Sequence, residues 1–297
     1  MRSRESQIVL GLDPDPMWLW PAAVQLGRGR DDASLPPAAR AARAVARHCE
    51  LVIEAVAAHC VAVKPQVACF ERLGACGWEA LEHTVRVARD AGLLVIADAK
   101  RGDVDVTARA YAQAFLGETD TPYGPVRGLG ADALTVNPLL GSDSIEPFVD
   151  AARAGGAGLF ILARTSNPGA AELQDRELAG GQSVSTHIGA MIERIGTPGR
   201  GASGLSDLGA VVGATAPQRL ALLRELMPHT IFLLPGVGAQ GGAVADLAAA
   251  FASGPAAGLP SASRGIVDAY RQTAGDPARA AAEAAARLRE QAWSLAT

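Results

Sequence analysis

The chain has 297 residues, enough for two small domains or one large α/β barrel with a substantial core. Its 49% hydrophobic and 20% charged residues are the balance of a soluble enzyme. A net charge of -4, with no Lys/Arg block and no basic-aromatic interleaving, excludes a nucleic-acid binder and confines any anion site to a local patch.

The N-terminus carries Arg2 and Arg4, but the apolar run from Ile8 to Leu10 is too short for a signal peptide. No apolar run approaches the length of a membrane helix. A cytoplasmic protein with no membrane partner is expected. The first strand runs from Gln7 to Asp13 and is stopped by Pro14 and Pro16. A loop rich in Gly, Arg, Asp and Pro follows from Gly27 to Pro37, expected to be exposed and mobile. Val45, Cys49, Val52, Ile53 and Val56 recur at helical spacing, which predicts a helix over Ala38 to Ala58. The second strand, Cys60 to Pro65, ends on Lys64. A helix from Glu79 to Ala91 is closed by Gly92.

The third strand starts at Leu93 and releases a dense set of charges, Asp98, Lys100, Arg101 and Asp103. Asp98 and Lys100 are two apart, so an extended strand points both to one side. Of the 27 basic residues only Lys64 and Lys100 are lysines. Arg does not release a proton near neutral pH, whereas Lys can donate one. Two lysines kept at the ends of two apolar strands, among carboxylates, point to ammonium chemistry there.

A helix is expected over Val106 to Leu116. The fourth strand is Asp132 to Pro138, with a helix around Ser144 to Ala154. The fifth is Gly158 to Ala163. The long interruption from Arg164 to Asp207 holds a Gly-rich loop and a helix from Ser185 to Ile195. The sixth strand, Leu208 to Gly213, leads to a helix opened by Pro217 in its first turn. The seventh is Thr230 to Pro235. The eighth falls within Leu259 to Ser263, and the helical stretch after it breaks near Gly275-Asp276-Pro277.

This β-α rhythm predicts an α/β protein, a single (β/α)8 TIM barrel over residues 1–297 with inserted loops. Polar residues at its strand ends should converge on one face: Asp13, Lys64, Asp98, Lys100, Asn137, Arg164 and Arg264. The Gly-rich turn Pro235-Gly236-Val237-Gly238-Ala239-Gln240-Gly241-Gly242 sits where barrels bind phosphate, and Arg264 would add a cation to that cup. The scattered histidines and cysteines give no metal-ligand spacing.

The stretch Asp98-Ala99-Lys100-Arg101-Gly102-Asp103 resembles the Asp-x-Lys-x-x-Asp signature of orotidine 5'-phosphate decarboxylases. Its Arg-Gly form, with Thr107 four residues on, is similar to the longer bacterial, type 2, branch. Further likenesses occur in the family's order: Asp13 after Gly11-Leu12, Val63-Lys64-Pro65, Thr165-Ser166-Asn167-Pro168-Gly169-Ala170, Gly213-Ala214-Thr215, the turn through Gln240, and Arg264. Val104 stands where the family usually has Ile, and Asp105-Val106 where it has smaller polar residues.

The resemblance implies decarboxylation of orotidine 5'-monophosphate to UMP without cofactor or metal. It implies Lys100 as proton donor to C6, within a charge network of Asp98, Lys64 and Asp103. It assigns ribose to Asp13, pyrimidine to Ser166, base and phosphate to Gln240, and phosphate to Arg264. It also implies a homodimer in which Asp103 and Thr107 enter the neighbour's site. Two rival expectations are a related sugar-phosphate lyase or decarboxylase barrel using Mg2+, and a non-catalytic barrel that binds a nucleotide phosphate.

Overall fold

In the computed structural model, which describes residues 1–27, 34–238, 241–273 and 275–297, eight parallel strands close into a barrel. They are β1 (Val9–Leu12), β2 (Ala62–Pro65), β3 (Leu94–Arg101), β4 (Ala133–Val136), β5 (Gly158–Arg164), β6 (Leu208–Val212), β7 (Ile231–Pro235) and β8 (Gly258–Ala262). Neighbours in sequence are neighbours in the sheet, and β1 pairs with both β2 and β8.

The strands are apolar on both faces because both are covered. Val9, Ala62, Ile96, Ala133, Phe160, Val211, Leu233 and Leu259 pack inside the barrel. Their neighbours, including Leu10, Val63, Val95, Leu134 and Ile161, face the helices. Each fully buried Leu, Ile or Phe contributes about 1.5–3 kcal/mol through removal of apolar surface from water.

The outer layer includes α1 (Pro37–Val56), α2 (Ala75–Asp90), α3 (Asp105–Phe115), α4 (Glu146–Gly155), α5 (Val184–Gly196), α6 (Pro217–Leu226) and α7 (Pro277–Ala296). The α1 face that reads apolar in sequence is buried at Val45, Cys49, Val52, Ile53 and Val56. The break near Gly275 is real: helices Arg264–Val267 and Tyr270–Thr273 precede α7, whose N-cap Asp276 accepts from the Arg279 N–H at 3.1 Å.

Several elements differ from the expectations. The helix Pro21–Leu26 is too short to show a periodic face. Residues 28–33 of the loop expected to be mobile lie outside the described residues. A small hairpin pairs Glu118–Thr119 with Val126–Arg127. After β7 comes a 3-10 helix, Val244–Phe251.

Candidate active site

Two residues beyond the last inward apolar side chains, the barrel lining turns polar. Ala62 is followed on the same face by Lys64, Ile96 by Asp98, Ala133 by Thr135 and Leu259 by Ser261. They ring the C-terminal mouth, above a cavity of about 390 Å³. Asp13, Lys64, Asp98, Lys100, Ser166 and Arg264 all line it. Six residues singled out from five different parts of the sequence thus meet in one place.

The chemistry is concentrated where β3 meets β4. Ala97 lies opposite Leu134 and Arg101 opposite Val136, so Asp98, Ala99 and Lys100 together face only Thr135. This bulge holds Lys100 at φ +49°, a left-handed conformation that costs a non-glycine residue about 1–2 kcal/mol. Lys100 therefore meets Asp98 through an irregular backbone and not through simple strand alternation. Such strain persists only when the surroundings over-determine it.

The surroundings are the charges. Lys100 Nζ donates to Asp98 Oδ1 at 2.6 Å, and Lys64 Nζ to Asp98 Oδ2 at 2.5 Å. Burial alone would push the Asp98 carboxyl up, but the two ammonium groups outweigh it and hold its pKa down at about 2. Burial likewise works against the Lys64 ammonium, and Asp98 and Asp13 overcome it to hold that pKa above its usual value. Asp98 and Lys64 are therefore an ion pair at neutral pH, buried apart from bulk water.

Thr135 and Gln66 complete the shell. The Thr135 hydroxyl donates to Asp98 Oδ1 at 2.9 Å, and the Gln66 amide reaches Oδ2 at 3.4 Å. Sequence reasoning passed over both. Thr135 had a usable signal, as a polar residue at an inward position of an apolar strand. Gln66 had none beyond its nearness to Lys64.

Two residues expected to join the convergent set do not line the cavity. Arg164 is turned aside by Asp175, which it grips through Nε and Nη2 at 3.1 and 3.0 Å. Asn137 is spent on its own turn, where Oδ1 accepts from the Leu139 N–H at 3.1 Å. The Arg164–Asp175 clamp has a use. Next to it the Thr165 N–H donates to Gln174 Oε1 at 2.7 Å, so the start of the long Arg164–Asp207 segment braces the Thr165-Ser166-Asn167 loop. Gly213 allows that loop to close down, since a Cβ there would lie 2.7 Å from the Ser166 Cα.

Asp103 and Thr107 do not line the cavity of their own chain. Asp103 accepts from the Val104 N–H at 2.8 Å and forms no ion pair with Lys100. Thr107 is exposed on α3. Arg101 anchors the root of α3, pairing with Glu71 and lying over the rings of Tyr111 and Phe115.

Across the mouth, the glycine turn needs its glycines at Gly236, Gly238 and Gly241, where φ is +99°, +76° and +91°. The Gly238, Gly241 and Gly242 amides bond within the turn, so they do not serve as free anion donors. Gln240 lies outside the described residues. Arg264 is exposed and has no ion pair among the described residues. No three His, Cys, Asp or Glu side chains among the described residues gather as a metal site.

The model of the orotidine 5'-phosphate decarboxylase / HUMPS family matches residues 6–284. An orotidine 5'-phosphate decarboxylase of Deinococcus radiodurans is 43% identical over 291 residues, covering 97% of this chain and 92% of that protein. One from Rhodopirellula baltica is 42% identical over 243 residues, covering 82% and 79%. The structure of Leishmania donovani OMP decarboxylase superposes with a TM-score of 0.72 at 30% identity, covering 99% of this chain and 96% of that one. A crystallised Streptomyces avermitilis protein gives 0.75 at 37% identity, covering 99% and 92%.

Proposed function

This chain belongs to the orotidine 5'-phosphate decarboxylase family and converts orotidine 5'-monophosphate to UMP and CO2 in pyrimidine biosynthesis, and we propose that Lys100 delivers the proton to C6. The observation that carries the assignment is the Lys64–Asp98–Lys100 triad at the barrel mouth, a carboxylate held between two ammonium ions.

Breaking the C6–carboxylate bond leaves its electron pair on C6, and CO2 departs. The pyrimidine offers that pair no carbonyl sink, so fixed charge must stabilise it. Preorganised charge in a site shielded from water is the strongest means available, because nothing has to reorient as charge develops. Lys100 stabilises the carbanion and then protonates it, and its amine recovers the proton from solvent. Asp98 lies beside the departing carboxylate and fixes both lysines. Lys64 and Asp13 hold the ribose, Ser166 reads the pyrimidine, Gln240 spans base and phosphate, and Arg264 takes the phosphate. The reaction needs neither metal nor organic cofactor in this reading.

We read the working unit as a homodimer. Asp103 and Thr107 do not line their own cavity, and apolar side chains at the β3–α3 and β4–α4 connections are open: Val106 is 79% and Leu139 69% exposed, and Val104 and Leu140 are exposed too. A second copy of the chain would cover this patch and receive Asp103 into its site. The Arg-Gly form of the motif supports the longer bacterial branch. No helix among the described residues is long and apolar enough to cross a membrane, and four free cysteines fit a reducing cytoplasm.

The deciding experiment is the ultraviolet absorbance of orotidine 5'-monophosphate incubated with purified protein and EDTA. Loss of the substrate band with formation of UMP is expected. Turnover abolished by EDTA and restored by Mg2+ would overturn the metal-free reading.

A further inference from the structure

The bulge in β3 creates a problem of its own. Between Ala97 and Arg101 the β3–β4 ladder is interrupted, and the Lys100 N–H has no backbone carbonyl opposite it. An unpaired amide beside a buried carboxylate is costly, and the left-handed φ of Lys100 adds to the strain. One side chain resolves both. Thr135 Oγ1 accepts from the Lys100 N–H at 2.9 Å, in place of the missing ladder bond. Its own proton is thereby directed to Asp98 Oδ1, also at 2.9 Å. The hydroxyl is 1% exposed as part of Thr135, so water does not compete for either bond.

We propose that Thr135 is a positioning residue for the decarboxylation: its single hydroxyl locks the backbone of Lys100 to the carboxylate of Asp98. It touches neither substrate nor reacting carbon. A threonine suits the role because one Oγ both accepts and donates, and because β-branching limits its χ1 freedom. Valine has nearly the same shape and neither capacity. Without the hydroxyl, Lys100 can relax from φ +49° toward ordinary strand geometry, which carries its ammonium away from Asp98.

The inference rests on Lys100 being the proton donor, and the test keeps the two apart. Thr135→Val and Thr135→Ser are compared with the parent for kcat, KM and affinity for UMP. Thr135→Val is expected to lower kcat about 10- to 100-fold, the scale of a lost hydrogen bond to a charged group, with KM and UMP affinity within about threefold. Thr135→Ser, which keeps the hydroxyl, should recover kcat to within about fivefold of the parent. If Thr135→Val does not fold, Thr135→Ala carries the same comparison with Ser. A hydroxyl-free variant with parental kcat overturns the inference, as does a Ser variant no better than Val. A rise in KM at unchanged kcat overturns it too, since that is the mark of lost binding. If Lys100→Ala is inactive while Thr135→Val is fully active, the positioning role alone fails. If Lys100→Ala keeps parental turnover, the donor assignment fails first.

Discussion

At the β3–β4 corner of the mouth Lys64, Asp98 and Lys100 pair with one another, whereas at the β7–β8 corner Arg264 has no ion pair among the described residues. Lys64, Asp98, Lys100 and Thr135 form a closed set of bonds of 2.5–2.9 Å. Arg264 faces the same cavity from the other side, exposed, beside a glycine turn whose Gly238, Gly241 and Gly242 amides are turned inward. The difference matches two tasks. Stabilising a carbanion demands charges that do not move as the bond breaks. Grasping a phosphate tolerates, and gains from, groups that close around it, since remote binding energy can be used to assemble the site.

The sharpest way to break this division is Lys100→Ala. If the closed corner carries the chemistry, kcat should fall by on the order of 10⁴ or more, combining the loss of a general acid with that of a preorganised cation. UMP affinity should change little if the open corner holds the phosphate. Stopped assays with high enzyme concentration and a separate UMP titration check both. Comparable losses in the two would mean that the corners are not functionally distinct.

A second test asks whether the closed corner is complete within one chain. Lys100→Ala and Asp103→Ala are each expected to be nearly inactive. In a mixed dimer, one site receives both lesions and the other neither. Random co-assembly makes half the dimers mixed, each with one native site of two, so about a quarter of parental activity should return. Additive residual activity, with no recovery, would confine Asp103 to its own chain.

At the open corner, Arg264→Ala should raise KM about 10- to 100-fold, the range of a charge-assisted hydrogen bond to phosphate. If phosphate binding also closes the site, kcat falls as well. Steady-state kinetics with substrate resolves the two. A change in kcat alone, with KM intact, would move Arg264 out of the phosphate site.

The same contrast decides what was legible in the sequence. The closed corner announced itself because its residues are rare in type: two lysines among many arginines, each ending an apolar run. The strand alternation then placed Lys64 and Asp98 inward, one step above Ala62 and Ile96. The bulge was not legible. Nothing local in Asp98-Ala99-Lys100 shows that three residues will face one, because that depends on the register of β4. Thr135 stood out as a polar residue on an apolar strand, but its bond to the Lys100 N–H was hidden for the same reason. Arg164 looked like a mouth residue, but its direction is set by Asp175, eleven positions on, and no pattern says which carboxylate an arginine will choose. Helix α1 was plain in its periodicity, while the five-residue helix Val67–Glu71 between β2 and α2 was too short to have one.

The smallest predicted effect separates the corners by acid stability. Asp98 belongs to the closed corner, with its pKa held at about 2 by Lys64 and Lys100 against the pull of burial. A carboxylate depressed in this way stabilises the fold above its unfolded value of ~3.9, and the benefit is lost only as pH falls toward about 2. The open side has a different titrating group. His48 lines a second cavity together with Asp13 and Arg264, and burial lowers its pKa to about 4. Its Nδ1 accepts from the Trp20 N–H at 3.1 Å, which requires the neutral ring. The unfolded chain takes up this proton near ~6.5, while the native state resists until about 4, so stability must fall with pH across that window, by about 2–3 kcal/mol. His59, lowered by burial and then by Arg289, adds to the same slope. His48→Asn keeps an acceptor for Trp20 and removes the titration. Urea unfolding at pH 6.5 and 4.5 should show a loss in the parent that is mostly absent in the variant. An equal loss in both would show that the acid-sensitive group lies elsewhere, and an unchanged parent would mean that burial does not keep His48 neutral.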